Sequence, residues 1–219
     1  MNAPCVCAVI TTQDIPSVRR AEPLADLFEV RIDMIGKGWK DMVGIVKKPW
    51  IAANRLKTEG GLWEGSEEAR RDDLLRALDM GASIVDIELA APDLDEIVPI
   101  IKKKARCLIS HHDTHRTPPT TELRRIMENE LAAGADICKV VTTARSFDDN
   151  VNVLGMISEF RPAKVVAFAM GLRGQRSRIL CPLAGGAFTY AALNEGAQSA
   201  AGQLTVSQLR SIYEMMMRI

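Results

Sequence analysis

The sequence carries no excess charge of either sign. Lysine plus arginine number 28 and so do aspartate plus glutamate. A neutral chain has no basic field to draw in a nucleic acid backbone or an anionic membrane. It also lacks any apolar run of membrane-spanning length, and Met1 to Pro4 leads straight into a strand pattern with no basic head. Disulfide architecture is excluded in the same way. The five cysteines, Cys5, Cys7, Cys107, Cys138 and Cys181, are odd in number in a chain that is not small, and only Cys5 and Cys7 are close neighbours. Buried, reduced thiols in a cytoplasmic protein are the expectation. Linkers, low-complexity tracts and repeats are missing too, so the 219 residues are read as one domain, 1–219.

What is present is a regular alternation. Short apolar segments at 5–11, 27–33, 50–55, 84–89, 106–112, 136–141, 164–169 and 187–191 read as strands covered on both faces. Helical patterns lie between them. The pattern at 66–79 opens on Ser66, that at 120–133 has Thr120 as its candidate cap and Gly134 as its stop, that at 146–160 ends before Pro162, and that at 205–218 is capped by Thr205 or Ser207; a short one falls within 39–48. Eight βα units predict an α/β fold, a (β/α)8 TIM barrel, with an open doubly wound sheet as the competing arrangement. Because strand side chains alternate in direction, Glu29, Arg31 and Asp33 share one face, as do Asp86 and Glu88, Ser110 and His112, and Ile137, Lys139 and Val141. Helices must cover the outside of a soluble barrel, so the polar set faces the lumen. So many charges are too costly for a purely structural core, and they point to a site at the C-terminal ends of the strands.

Lys139 stands in Asp-Ile-Cys-Lys-Val-Val. An apolar setting disfavours an ammonium ion, and a neutral amine attacks a ketone or aldehyde to give an imine that serves as an electron sink. The alternatives are a lysine that snorkels to an edge or is paired with a carboxylate. All three histidines lie in Ser-His-His-Asp-Thr-His, where alternation aims His112 inward as a general acid–base and His111 outward; a metal cluster with Asp113 is the rival reading, which the spacing fits poorly. Arg55 faces inward at the end of the third strand. Glu59, four residues on and just before Gly60 and Gly61, is either a solvated loop carboxylate or a group that holds the His112 tautomer. One of Arg173, Arg176 and Arg178 is placed to bind a carboxylate, or else a phosphate. The small polar stretch 194–203 is a lid or a plain connection.

In order along the chain stand Glu-Val-Arg-Ile-Asp, Arg-x-x-x-Glu-Gly-Gly, Asp-Ile-Glu-Leu, Ser-x-His-Asp-x-His-x-Thr-Pro, Gly-Ala-Asp-Ile-x-Lys, Ser-Arg and Ser-Ala-x-Gly-Gln. From about Asp14 onward this series resembles the type I 3-dehydroquinate dehydratases of the shikimate pathway. The resemblance implies dehydration of 3-dehydroquinate to 3-dehydroshikimate without a metal or an organic cofactor. It implies an imine on Lys139, His112 moving protons and Glu59 supporting His112. Arg178 would bind the substrate carboxylate. Glu29, Arg31 and Arg55 would hold hydroxyls and balance charge, Ser199 and Gln203 would close over the substrate, and Met170 would line the pocket. The expected partners are the small-molecule substrate and, at most, a second copy in a homodimer. The chain departs from the family picture in starting strand one without an extended segment over the barrel bottom, in having Ala8 or Val9 where a hydroxyl is expected (with Thr11 as a substitute), and in Ala201 in place of a proline. A class I aldolase that also uses Lys139 and a non-catalytic sensor of quinate-like acids are the rival functions; the set Lys139, His112 and Glu59 argues against the sensor, since binding needs no buried amine.

Overall fold

The computed structural model describes Ala3 to Met217. The elements run β1 (Val6–Ile10), α1 (Ile15–Ala21), β2 (Leu27–Arg31), α2 (Ile32–Ile35), α3 (Trp39–Val43), β3 (Trp50–Ala53), α4 (Glu67–Asp79), β4 (Ile84–Glu88), α5 (Leu94–Lys102), β5 (Arg106–His112), α6 (Thr120–Ala132), β6 (Ile137–Thr143), α7 (Asp148–Glu159), β7 (Val165–Met170), α8 (Gln175–Leu180), β8 (Thr189–Ala192) and α9 (Val206–Met217). Met1 and Asn2, ahead of strand one, and Arg218, the expected last helical residue, lie outside the described residues.

All eight strands pair in parallel and in sequential order from β1 to β7, with β8 against β1. Pairing of the first strand with the last bends the sheet into a barrel and rules out a doubly wound order, in which the sequence of strands reverses. The seam between β7 and β8 has no ladder. It is bridged by the Ala187 amide, which donates to the Val165 carbonyl at 2.7 Å, and by the edge-to-face contact of Phe168 with Tyr190 at 6.1 Å between centroids. The barrel is thus nearly closed.

The period-two pattern explains the layers. Val6, Ala8, Phe28, Val30, Val85, Ile87 and Ile109 face the helices and pack with Trp39, Leu74, Ile97, Ile101 and Leu209. The alternate residues Cys7, Val9, Leu27, Ile51, Ile84, Leu108 and Ile137 form the apolar lower part of the lumen. Above that floor the same face turns polar, and Glu29, Arg31, Arg55, Asp86, Glu88, Ser110 and Lys139 are all buried. The cysteines are free thiols, buried but for half-buried Cys5.

Several local expectations are corrected. The second strand ends at Arg31; the helical turn of α2 follows, and Asp33 turns back to grip the Arg31 guanidinium through two bonds of 2.9 and 2.6 Å instead of continuing the strand face. Thr120 is the first residue of α6 and not its cap, because Pro119 precedes it in extended geometry and no side chain caps that end. The short helix expected within 39–48 is present, as the short α3. Ser66 does cap α4, accepting the Ala69 amide, and Thr205 caps α9, accepting the Gln208 amide.

Candidate active site

At the C-terminal end of the strands lies a cavity that opens to solvent. Its walls bring together Lys139 from β6, His112 from β5, Glu29 and Arg31 from β2, Met170 and Phe168 from β7, Tyr190 from β8, and Arg55 and Glu59 from just beyond β3. Arg178 of α8 and Ser199 and Gln203 of the last loop complete it. All ten residues to which the family resemblance gave a role therefore line one space, although they are scattered over most of the chain.

Lys139 is almost wholly buried. Its Nζ donates to Asp86 Oδ2 at 2.8 Å, lies 3.7 Å from Glu29 Oε1, and sits 4.4 Å from the centre of the Tyr190 ring. The lone amine in apolar surroundings suggested by its strand is therefore corrected: in the resting protein Lys139 is ion-paired, because Asp86 of β4 reaches it across the lumen past the intervening β5. Asp86 is itself held from three sides, by Lys139, by Arg55 Nη2 at 2.5 Å and by the Ser110 hydroxyl at 2.7 Å. Burial alone would raise its carboxyl, but Arg55, then Lys139, outweigh that cost and hold it far below the usual carboxylate range.

His112 and Glu59 form a second pair. Glu59 Oε2 lies 2.9 Å from Nδ1 of His112 and accepts the His112 backbone amide at 3.1 Å. Burial, reinforced by the cations Arg55 and Lys139, keeps His112 well below its ordinary value, so the ring is neutral at physiological pH. A carboxylate at Nδ1 favours the tautomer with its proton there, which leaves Nε2 as the free base. Burial raises Glu59 to about 7, since Arg55 only partly offsets desolvation and the negative charges of Glu88 and Asp86. The turn that carries Glu59 is tight. Gly60 takes a left-handed φ of 79°, and a Cβ on Gly61 would sit 2.0 Å from the Arg55 carbonyl.

Arg178 differs from every other cation in the cavity. It is buried, its guanidinium stacks 4.5 Å over the Phe168 ring, its Nε has no hydrogen-bond partner, and it makes no ion pair among the described residues. Burial lowers it to about 10, so it remains charged near neutrality. A buried cation without an anion is a receptor for one. In the last loop the Gln203 side-chain oxygen accepts from the Ser199 amide and hydroxyl at 2.8 and 3.1 Å, and the Ala201 carbonyl accepts from Gly171, which ties that loop to the end of β7.

His111 and His115 do not line the cavity, and among the described residues no group of three or more His, Cys, Asp or Glu side chains is placed to hold a metal ion. Thr11 is buried beside the neighbouring depression around Asn194 and does not reach the cavity wall.

A model of the type I 3-dehydroquinase family matches residues 5–219. The chain belongs to that family. Relatives named 3-dehydroquinate dehydratase include one from Dehalococcoides mccartyi strain CBDB1, 41% identical over 97% of this chain and 96% of its own, and one from Methanocaldococcus jannaschii, 36% identical over 88% of each. Among solved structures, the 3-dehydroquinate dehydratase of Geobacillus kaustophilus superposes with a TM-score of 0.84 at 26% identity, covering 98% of this chain and 91% of that one. The type I enzyme of Clostridium difficile, with covalently modified comenic acid, shares the fold at a TM-score of 0.86 and 22% identity, covering 100% and 94%.

In this member of the type I 3-dehydroquinases, sequence reasoning passed over residues that the lumen makes prominent. Asp86 and Glu88 stood on the polar face of β4 but received no role, although alternation alone turned them into the lumen that Lys139 also faces. Tyr190 was detectable in the same way, as an inward residue of β8. Two groups reach the site from the helix layer and left no strand-parity signal. Glu130 of α6, fully buried, accepts the backbone amide of Lys139 at 3.0 Å, and burial pushes its carboxyl well above the ordinary range. Arg70 of α4 reaches Glu88.

Proposed function

We propose that this chain dehydrates 3-dehydroquinate to 3-dehydroshikimate through an imine on Lys139, with no metal or organic cofactor. Family membership supports the reaction. The observation that carries the mechanism is the triangle formed across one cavity by a buried lysine, a neutral imidazole with a free Nε2, and a buried arginine that lacks an anion.

Arg178 takes the substrate carboxylate and turns the ketone toward Lys139. His112 Nε2 accepts the proton that Lys139 must shed, and the amine nitrogen attacks the carbonyl carbon. The imidazolium returns that proton to the carbinolamine hydroxyl, which leaves as water, giving a protonated imine and restoring neutral His112. That cation acidifies the neighbouring C–H, His112 Nε2 removes the proton, and the electron pair flows into an enamine. The same imidazolium returns the proton to the β-hydroxyl, which departs as water as the enamine collapses to a conjugated iminium. A water molecule then hydrolyses the iminium and frees Lys139. One water lost on imine formation and one consumed on hydrolysis cancel, so the net change is the loss of one water. Glu59 keeps Nδ1 protonated throughout and stabilises the imidazolium. Glu29, Arg31 and Arg55 address the ring hydroxyls, Ser199 and Gln203 close from the last loop, and Met170 supplies apolar wall.

Among the described residues no helix is long and apolar enough to cross a membrane. The proposal extends to a cytoplasmic enzyme acting as a homodimer, which sedimentation of the purified chain checks. The decisive experiment for the chemistry is borohydride reduction in the presence of 3-dehydroquinate, read by intact-protein mass spectrometry and peptide mapping. An adduct on Lys139 is expected. An unmodified protein, or an adduct on another lysine, overturns the mechanism.

A further inference from the structure

The charges of the lumen do not end at the barrel wall. Asp86 and Glu88 are two residues apart on one strand face, and both are fully buried. Two carboxylates so placed need two cations, and Lys139 must be able to give up its charge during the reaction. Arg55 serves both, with Nη2 at 2.5 Å from Asp86 and Nη1 at 2.9 Å from Glu88. The balancing cation comes from outside the ring: Arg70 on α4, which has no exposed surface, donates from Nη1 to Glu88 Oε2 at 2.5 Å. The result is an unbroken row of alternating charge, Arg70, Glu88, Arg55, Asp86 and Lys139, ending at Glu29.

The remaining donors of Arg70 are committed. Nη1 also binds the carbonyl of Asn54, the residue before Arg55, at 3.0 Å, and Nε and Nη2 clamp Glu67 of the same helix at 2.8 and 2.6 Å. The Glu88 oxygen that meets Arg55 also accepts the Leu56 amide at 3.1 Å, which anchors the start of the turn that carries Glu59. Removing the Arg70 charge leaves Glu88 to compete with Asp86 for Arg55. Asp86 then leans on Lys139, whose nitrogen must leave that ion pair to attack the carbonyl. The protonated imine is cationic and tolerates the extra negative charge, so the penalty falls on the step that forms it.

We propose that Arg70 is a positioning residue for Lys139: by neutralising Glu88 from the helix layer, it leaves Arg55 to hold Asp86 and so frees the lysine for imine formation. This rests on the Schiff-base reading above. The test compares the full chain with Arg70→Met, Arg70→Lys and the charge-balanced pair Arg70→Met with Glu88→Gln. The readouts are the rate of borohydride trapping with 3-dehydroquinate, kcat, KM and thermal unfolding. Arg70→Met should lower the trapping rate and kcat on the order of tenfold, with KM within about twofold, because a buried charge is left unmatched away from the substrate. Arg70→Lys should recover most of that loss, and so should the charge-balanced pair, which a merely structural arginine would not allow. Should Arg70→Met alone not fold, the pair decides: trapping near the unaltered rate supports the proposal, whereas trapping about tenfold slow, or failure of the pair to fold as well, overturns it. No adduct in the unaltered protein overturns the Schiff-base reading and this proposal with it. An adduct that forms equally fast in Arg70→Met overturns this proposal alone.

Discussion

Replacing Glu59 by glutamine should raise stability while it lowers activity. The ordinary value of this carboxyl is 4.5; burial raises it to about 7, and its side chain is 10% exposed. Below 4.5 the group is neutral whether the chain is folded or not, so ionisation has no bearing on stability. Above about 7 it is ionised in both states, and only the folded state bears the cost of a buried charge, up to about 3 kcal/mol. Wild-type stability therefore falls, through this group, as pH rises from 4.5 to 7. Glutamine is isosteric and keeps one oxygen to accept both the backbone amide and Nδ1–H of His112, yet it never ionises. Relative to wild type, Glu59→Gln should gain nothing near pH 4.5 and up to about 3 kcal/mol at pH 8, equivalent to roughly 6–12 °C in melting temperature for a chain of this size. The depressed titration of His112 also acts on stability, but it is common to both proteins. Urea unfolding from pH 4.5 to 8.5 reads the difference directly. Meanwhile kcat, followed by the absorbance of the conjugated enone product, should fall on the order of tenfold, because an amide supports an imidazolium less well than a carboxylate. Parallel pH–stability curves for the two proteins would refute the reasoning, since the strain assigned to Glu59 would then not exist.

The other predictions concern the remaining corners of the site. Arg178→Ala should raise KM roughly 10- to 100-fold by removing a charge-assisted contact with the substrate carboxylate, yet cost little stability, since no ion pair is broken; an unchanged KM in steady-state assays removes Arg178 from the clamp. Gly61→Ala places a methyl group against the Arg55 carbonyl, so the turn must shift; a loss of roughly 1–3 kcal/mol and a drop in kcat through misplaced Glu59 are expected, and normal kcat with normal melting would show the turn to be pliant. Chelation by EDTA should leave turnover unchanged, because the lumen carboxylates Asp86, Glu88 and Glu59 are committed to Lys139, Arg55, Arg70 and His112; activity lost to the chelator and restored by zinc would contradict that assignment.

The sequence alone determined which residues face the lumen. Side chains alternate along a strand, so once eight covered strands are recognised, the inward position of Glu29, Asp86, His112 and Lys139 follows from counting. It also determined the tight turn after the third strand, because Gly60 and Gly61 admit a geometry that other residues resist. The motif series identified the family for the same reason, since residues that must meet at the mouth of a barrel recur at the ends of successive strands. What only the tertiary structure decided is who pairs with whom. The stagger accumulated from β4 through β5 to β6 puts Asp86 against the Lys139 amine, and no spacing along either strand reveals that. Arg70 and Glu130 act across the barrel wall from helices, where helical periodicity predicts burial but not the atom each will meet. That Arg178 alone among the cavity cations lacks an anion became visible only once Arg31, Arg55 and Lys139 had been assigned their partners. Direction is a property of the local backbone, and so the sequence carries it; distance between side chains from different strands and helices is set by how the barrel closes.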